Sequence, residues 1–140
     1  MKIHFSNQGN LRNLQSFVKA LDLSDPGRLE ISTHDKWLTV HPANLVLAAA
    51  LALSVGKEHA EIVGAVPSTG VYLDRMGLYE LVETPSPFTY NKKEEAGRFV
   101  PLTVIKTSEE QSRFIADMVP LLHLSEENAT IVKYIIGELV

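Results

Sequence analysis

The stretch "HPANLVLAAALALSVG", residues 41–56, constrains the fold more than any other part of the sequence. Its apolar residues are so numerous that they surround a helix instead of forming a single stripe. A proline such as Pro42 suits the first turn of a helix, and a glycine such as Gly56 often follows the last turn. The sequence therefore predicts one helix here, and we expect a helix that is apolar nearly all round to be buried on more than one side.

Strand-like and helix-like segments alternate around this central helix. "MKIHFS" alternates apolar and polar residues, as a short strand does, whereas "NLRNLQSFVKALDL" repeats its apolar residues at helical spacing. "RLEISTHDKWLTV" indicates two strand-like runs that are compatible with a hairpin, and "AEIVGAV" indicates a buried strand. A further helix follows in "PSTGVYLDRMG". Strands separated by helices favour an α/β fold with helical crossovers.

The composition changes after residue 84. "ETPSPFTYNKKEEAGR" combines prolines with a charge run, which predicts a linker or an exposed loop. "FVPLTVI" then indicates a strand, and two helices follow, of which the first carries Thr107 and Glu110 at the spacing of a capping box. One strand and two helices form a poor core alone. We therefore expect a first domain at residues 1–84, a linker at 85–98 and an incomplete second domain at 99–140.

Composition and charge exclude several classes of function. The net charge is −4 with no basic stretch, so nucleic-acid binding has no electrostatic support. There is no cysteine, and therefore no disulfide framework and no thiolate chemistry. The longest apolar run, "LVLAAALALSV", is much shorter than the about 20 residues that a membrane-spanning helix needs. The first residues do not form a signal peptide, and we expect a cytoplasmic protein.

Residues that could carry chemistry form no recognisable catalytic or metal-binding pattern. The five histidines show no metal-ligand spacing, and no Ser/His/Asp set or carboxylate pair is indicated. "GAVPSTG" places Ser68 and Thr69 after a strand and at a helix start, where backbone N–H groups attract anions. It is not a P-loop, because no lysine follows Gly70, and we expect Ser68 to act as a helix cap. The residues predict neither a catalytic site nor a bound metal.

The stretch from "WLTVHPANL" to "MGLYELV" resembles a STAS domain, the fold of bacterial anti-sigma-factor antagonists. Many members carry Asp-Ser-Ser-Gly-Leu in the turn before the long helix, and its third residue is the phosphorylated serine. Here the turn is "HPANL", so that His41 replaces the aspartate, Ala43 the phosphorylated serine and Asn44 the glycine. The resemblance implies a partner-binding surface at His41, Ala43, Asn44, Ser68 and Thr69 that phosphorylation at position 43 cannot control.

The stretch from "FVPLTVI" to "IIGELV" resembles the start of a GHKL-type ATPase domain, as in anti-sigma-factor kinases and histidine kinases. In that family the second helix carries a glutamate followed four residues later by an asparagine that binds Mg²⁺. Glu138 stands at the glutamate position, and the asparagine would fall two residues beyond Val140. The resemblance implies a truncated ATPase domain, with ATP and Mg²⁺ expected only where that domain is complete.

These resemblances together suggest a non-enzymatic regulatory fragment of a bacterial signalling protein. Its partner would be another protein or its own C-terminal ATPase domain, with neither nucleic acid nor membrane involved. We also expect the C-terminal helices to fold back or to form a homodimer, because Val132, Ile135, Ile136 and Leu139 need cover. Two alternatives stay open: a module that senses a small ligand or a nucleotide, and a small α/β enzyme of an unrecognised family.

Overall fold

The computed structural model describes residues 1–5, 14–36, 40–91 and 99–138. They belong to two compact units, the first at residues 1–90 and the second at residues 91–140. The predicted mixed α/β class is confirmed, since parallel strands alternate with helices along the first unit.

A three-stranded parallel sheet organises the first unit, with the strands in the order β1-β2-β3. Parallel neighbours need a crossover connection, and helices lie between the strands in the chain as predicted. The register aligns Ile3 with Ile31 and Ile31 with Ile62. The elements are β1 (Lys2–Phe5), α1 (Leu14–Lys19), β2 (Leu29–Thr33), α2 (Pro42–Val55), β3 (Ala60–Val63), α3 (Pro67–Arg75) and α4 (Leu78–Leu81).

The predicted hairpin around β2 is wrong. β2 pairs with β1 along one edge and with β3 along the other, and both pairings are parallel. A central strand with both edges paired has no edge left for a hairpin partner. The second strand-like run includes Trp37 and Leu38, which lie outside the described residues.

The core of the first unit lies on one face of the sheet. Ile3, Phe5, Leu29 and Ile31 alternate with polar residues along β1 and β2 and are at most 1% exposed. The ring of Phe5 stacks on that of Phe17 from α1, with the centroids 5.5 Å apart. The opposite face of β1 and β2 carries polar side chains, so these two strands are apolar on one side only, which is unusual for a parallel sheet.

The expectation that α2 is buried on more than one side is wrong. Leu45, Ala48 and Ala52 are buried on its inner side, but Val46 is 57% exposed and Leu53 is 37% exposed. The reason is the two-layer arrangement, in which a helix has the sheet on only one of its sides. The predicted bounds of the helix, from Pro42 to the residue before Gly56, are confirmed.

The second unit contains a pair of helices, α5 (Ser108–Leu121) and α6 (Glu126–Glu138). Gln111 near the start of α5 donates its side-chain N–H to the carbonyl of Ile136 near the end of α6 at 2.8 Å, so the helices run antiparallel. The predicted capping box is confirmed: the N–H of Glu110 donates to the hydroxyl of Thr107 at 3.2 Å, and the Glu110 carboxylate accepts the N–H of Thr107 at 3.1 Å.

The strand predicted at "FVPLTVI" is wrong, because residues 99–105 form neither a strand nor a helix. Pro101 has no N–H to donate to a sheet. A strand also needs a neighbouring strand, and the described part of the second unit contains none. A short run of apolar residues alone therefore does not produce a strand here.

Candidate functional site

Two helices begin at the edge of the sheet where the strands end. The three strands are parallel, so their carboxyl ends share one edge, which we call the carboxyl edge. α2 and α3 follow β2 and β3 in the chain and therefore begin at this edge. In open α/β sheets, ligands bind outside the carboxyl ends of the strands. Each residue predicted for partner binding lies in or beside the first turn of α2 or α3.

The start of α2 is closed by its own residues. His41 is the N-cap, and its ring nitrogen Nδ1 accepts the N–H of Ala43 at 3.1 Å. The N–H of Asn44 donates to the carbonyl of His41 at 2.9 Å, while Pro42 has no N–H. His41 therefore has a structural role, and the first N–H groups of α2 are occupied.

The start of α3 is open. Its N-cap is Val66, which has no side chain that can accept a hydrogen bond. The prediction that Ser68 caps this helix is wrong, because Pro67 occupies the first helical position and places Ser68 one residue further into the turn. Gly70 makes the first helical bond, to Val66 at 2.7 Å, and no described residue accepts the N–H groups of Ser68 or Thr69.

Three buried side-chain oxygens at this edge have no hydrogen-bond partner among the described residues: Thr33 Oγ1, Asn44 Oδ1 and Thr69 Oγ1. The three residues are 7%, 5% and 1% exposed, respectively. Each unpaired buried polar group costs about 1–3 kcal/mol. We call these atoms the three buried oxygens.

All three buried oxygens belong to side chains that point to the interior. Thr33 ends β2 on the same face as Ile31. Asn44 shares the inner side of α2 with Leu45 and Ala48, and Thr69 shares the inner side of α3 with Leu73. Asn44 and Thr69 were predicted as part of a partner-binding surface, but the structure buries both, and Thr33 was not predicted. The signal was present, because Thr33 continues the inward alternation of Leu29 and Ile31 with a hydroxyl.

The segment Thr84–Tyr90, which we call the strap, packs on α3 and α4, although most of it was predicted to be linker. The ring of Phe88 occupies the place that a Cβ atom on Gly70 would take. The same ring meets that of Tyr79 edge-on, with the centroids 6.1 Å apart. Burial, followed by a hydrogen bond to Asp74, raises the pKa of Tyr90. The strap therefore contacts α3 next to Thr69.

The first turns of α2 and α3 contain no charged side chain. Among the described residues, the connection after β2 supplies charged and titratable groups at the carboxyl edge. There, His34 Nδ1 accepts the N–H of Lys36 at 3.1 Å, and it lies 3.1 Å from the Asp35 carboxylate. The side chain of Lys36 is exposed.

The opposite edge holds a cleft of about 210 Å³ whose charges are paired. Lys2 pairs with Glu30 at 3.0 Å, and Arg28 pairs with Glu61 at 2.7 Å. The N-terminal ammonium donates to the carbonyls of Asp25 and Arg28. Because these charges compensate one another, this cleft offers less to a charged ligand than the open start of α3.

Glu138, the residue expected at the ATPase motif, is exposed on the last turn of α6. Among the described residues, no three or more His, Asp or Glu side chains lie close enough together to hold a metal ion. None of the described helices has the length and apolar character needed to cross a membrane.

Comparisons of the chain with protein-family models, with curated proteins and with solved structures find no match.

Proposed function

We propose that this chain is a non-catalytic regulatory module of a bacterial signalling protein, in which a STAS-like first domain binds a protein partner in the cytoplasm. The observation that carries the proposal is the outward face of α2. This face begins beside the turn that replaces the phosphorylated turn of the STAS family.

The outward face of α2 is apolar along its length. Val46 and Leu53 are 57% and 37% exposed, and Ala50 between them is exposed as well. No charged residue occurs from Pro42 to Val55. Burying an aliphatic side chain of this size contributes about 1.5–3 kcal/mol, and contiguous exposed apolar surface is typical of interaction sites. A protein partner that covers this face would remove it from water.

The order of elements supports the STAS-like assignment. The long apolar helix α2, the strand β3 and the helix α3 follow one another in the order that the resemblance implies, whereas the strand expected at "LTV" lies mostly outside the described residues. Ala43 in the turn has no hydroxyl, so the binding that we propose is not switched by phosphorylation at that position. Partner binding would instead depend on the exposed side chains of α2 and on Ser68.

The same proposal assigns residues 99–140 to the start of a GHKL-type ATPase domain. α5 and α6 supply the two helices expected there, and Glu138 lies in the last turn of α6. The coil from Phe99 to Lys106 departs from the strand that begins such domains. ATP and Mg²⁺ would bind only to a complete domain of this type, which is also the partner class that we propose for the first unit.

Affinity capture with two matched variants tests the partner. The full chain is immobilised, and captured proteins are identified by mass spectrometry. We expect a GHKL-type ATPase on the wild type and at least a 10-fold loss on V46R. Val18 on α1, 48% exposed, provides the control V18R, which should capture as well as the wild type. Equal capture by V46R and wild type, or no such ATPase among the captured proteins, would exclude the proposal.

A homodimer through the C-terminal helices is favoured by a separate observation. Ile131, Tyr134 and Ile135 are 50%, 69% and 50% exposed on α6. They lie on the side away from Val132 and Ile136, which are half-buried, so α6 is apolar on two sides. Ile135 thus departs from the single stripe predicted from the sequence, and Leu139 lies outside the described residues.

Analytical ultracentrifugation tests the homodimer. The wild type should sediment as a dimer, and I135D should sediment as a monomer. A wild-type monomer would contradict the proposed homodimer.

A further inference from the structure

We propose that the cleft at the edge where the three strands begin, which we call the amino-edge cleft, binds a small zwitterion, with an α-amino acid as the chemical class. The carboxylates of Glu30 and Glu61 receive the ammonium group of the ligand, and the guanidinium of Arg28 receives its carboxylate. All three residues line the cleft. This inference goes beyond the proposed function, because it uses neither the outward face of α2 nor a protein partner.

The first step is the placement of two carboxylates side by side. Glu30 in β2 and Glu61 in β3 are aligned in the register of the sheet, and both side chains line the cleft. Neighbouring strands lie about 4.8 Å apart, so two negative charges at aligned positions on one face of the sheet repel each other. An ammonium group that binds to both carboxylates offsets this repulsion. This part of the cleft therefore favours a cationic group.

The second step is the placement of two cations beside these carboxylates. Lys2 lies 3.0 Å from Glu30, and Arg28 lies 2.7 Å from Glu61. The side chains of Lys2 and Arg28 are 63% and 62% exposed. Those of the two glutamates are only 33% and 40% exposed, so the cations form the rim of the cleft and the carboxylates lie deeper. A ligand in the cleft thus meets both signs of charge.

The third step is that these groups can take a ligand without a large loss. The guanidinium of Arg28 has five N–H donors, and its one ion pair among the described residues is with Glu61. Exposed ion pairs contribute little to stability, so little is lost when a ligand shares or replaces one of the partners. A guanidinium can also donate two parallel N–H bonds to a carboxylate. Arg28 is therefore well suited to hold the carboxylate of the ligand.

The balance of charge limits the class of ligand. The two cations and the two glutamates compensate one another, so a ligand of a single charge leaves one group of the cleft uncompensated, whereas a zwitterion compensates both. The other charged groups at the cleft also have opposite signs. The Asp25 carboxylate accepts the N–H of Gly27 at 3.1 Å, and the N-terminal ammonium donates to backbone carbonyls.

The size of the cleft and the spacing of its charges limit the ligand further. The cleft has a volume of about 210 Å³, whereas pockets for drug-sized ligands have about 300–1,000 Å³, so the ligand is small. Because Arg28 and Glu61 are in direct contact, the two charged groups of the ligand must also lie close together. An α-amino acid carries its ammonium and its carboxylate on the same carbon atom and meets both conditions.

Amide NMR of the full chain tests the site with L-alanine as the probe. L-Alanine is titrated at neutral pH and constant ionic strength, and we expect saturable shifts at the amides of Arg28, Glu30 and Glu61. The amides of Ala43 and Asn44 at the carboxyl edge serve as internal controls and should not move. Unmoved signals at the amino-edge cleft throughout the titration would overturn the inference.

Two analogues of the probe show whether both charges are recognised. N-acetyl-L-alanine lacks the ammonium group, and L-alaninamide lacks the carboxylate. Each should bind about 10-fold more weakly than L-alanine or worse, because each loses a hydrogen-bonded charge. Binding of either analogue as tight as that of L-alanine would overturn the zwitterion site. This comparison uses the wild type and does not depend on the folding of a variant.

Variants separate ligand recognition from a merely structural role of the ion pairs. R28Q should lose about 10-fold in affinity for L-alanine and should no longer prefer it to L-alaninamide. E61Q should show the same loss and should no longer prefer L-alanine to N-acetyl-L-alanine. K57Q breaks the exposed ion pair of Lys57 with Glu83, 3.2 Å long, and is the matched control that should bind as wild type. Unchanged preferences in folded R28Q and E61Q would overturn the site.

The two proposals fail separately. Amino-acid binding is measured on the purified chain and needs no protein partner, whereas affinity capture depends on the exposed face of α2. Intact capture of the ATPase with no alanine-induced shift would remove only the zwitterion site. Saturable alanine shifts without capture would remove only the protein partner and leave the module as a ligand sensor.

Discussion

The two units are stabilised by different parts of their sequences. The first unit buries Phe5, Ile31 and Leu78 from segments far apart in the chain, each to 1% exposure or less. In the described part of the second unit, the only buried residue is Val119. What the second unit has instead is local: the capping box at Thr107 and acidic residues in the first turns of α5 and α6. We therefore expect the first unit to lose stability mainly when a buried side chain is truncated. The second unit should lose stability mainly when a helix cap or another helix-stabilising residue is removed.

The largest effect is expected from truncating a buried aliphatic side chain in the first unit, compared with an exposed one in the second. Ile31 in β2 is 0% exposed, and Val104 in the coil before α5 is 41% exposed. I31A should lower the free energy of unfolding by about 2–5 kcal/mol, because it removes buried methyl groups and leaves a cavity. V104A should change it by no more than about 0.5 kcal/mol. Urea unfolding followed by circular dichroism measures both, and equal effects would contradict the comparison.

The next effect concerns a methyl group added to a glycine in each unit. G70A places the methyl where the ring of Phe88 lies, whereas G137A on α6 meets nothing within 4 Å. The first should destabilise by about 1–3 kcal/mol through overpacking. The second should stabilise by about 0.5–1 kcal/mol, since alanine favours a helix over glycine. Opposite shifts in melting temperature are the expected result, and destabilisation by both variants would show that α6 is also closely packed.

A smaller effect is expected from removing the capping box. T107A deletes the acceptor of the Glu110 N–H, which should cost about 0.5–2 kcal/mol. Thr103 lies in the preceding coil, where its hydroxyl donates to the carbonyl of Pro101 at 3.2 Å, so T103A is a matched control. Amide hydrogen exchange should speed up in the first turns of α5 in T107A alone. Faster exchange spread over β1–β3 would show that the two units are not energetically separate.

The contrast between local interactions and long-range packing also explains which features could be predicted from the sequence. The bounds of α2 and the capping box depend on residues a few positions apart, and both predictions are confirmed. The strand at residues 99–105 and the hairpin at β2 depend on which distant strands pair, and both predictions are wrong. At the candidate site, Asn44 and Thr69 were expected as part of the partner-binding surface that the resemblance to a STAS domain implies. Their burial was not predictable, since it depends on the packing of α2 and α3 against the sheet.

The smallest effect is a loss of stability at alkaline pH, and we expect it in the first unit. Burial raises the pKa of Tyr72 above its ordinary value of 10.0, and burial together with the charge of Asp74 raises that of Tyr79. A raised pKa means that folding favours the protonated phenol. Its stabilising contribution is therefore complete below pH 10 and is lost as the pH rises through the folded-state pKa.

Unfolding measured from pH 9 to 11.5 should show this loss, and Y79F should reduce it because phenylalanine cannot ionise. The capping box of α5 contains no phenol, so the exchange rates of its amides, corrected for the intrinsic effect of pH, should not follow the same titration. Tyrosinate absorbance recorded alongside identifies the titrating groups. A Y79F variant with an unchanged alkaline transition would show that Tyr79 does not couple to folding, and the alkaline difference between the units would then rest on Tyr72 and Tyr90.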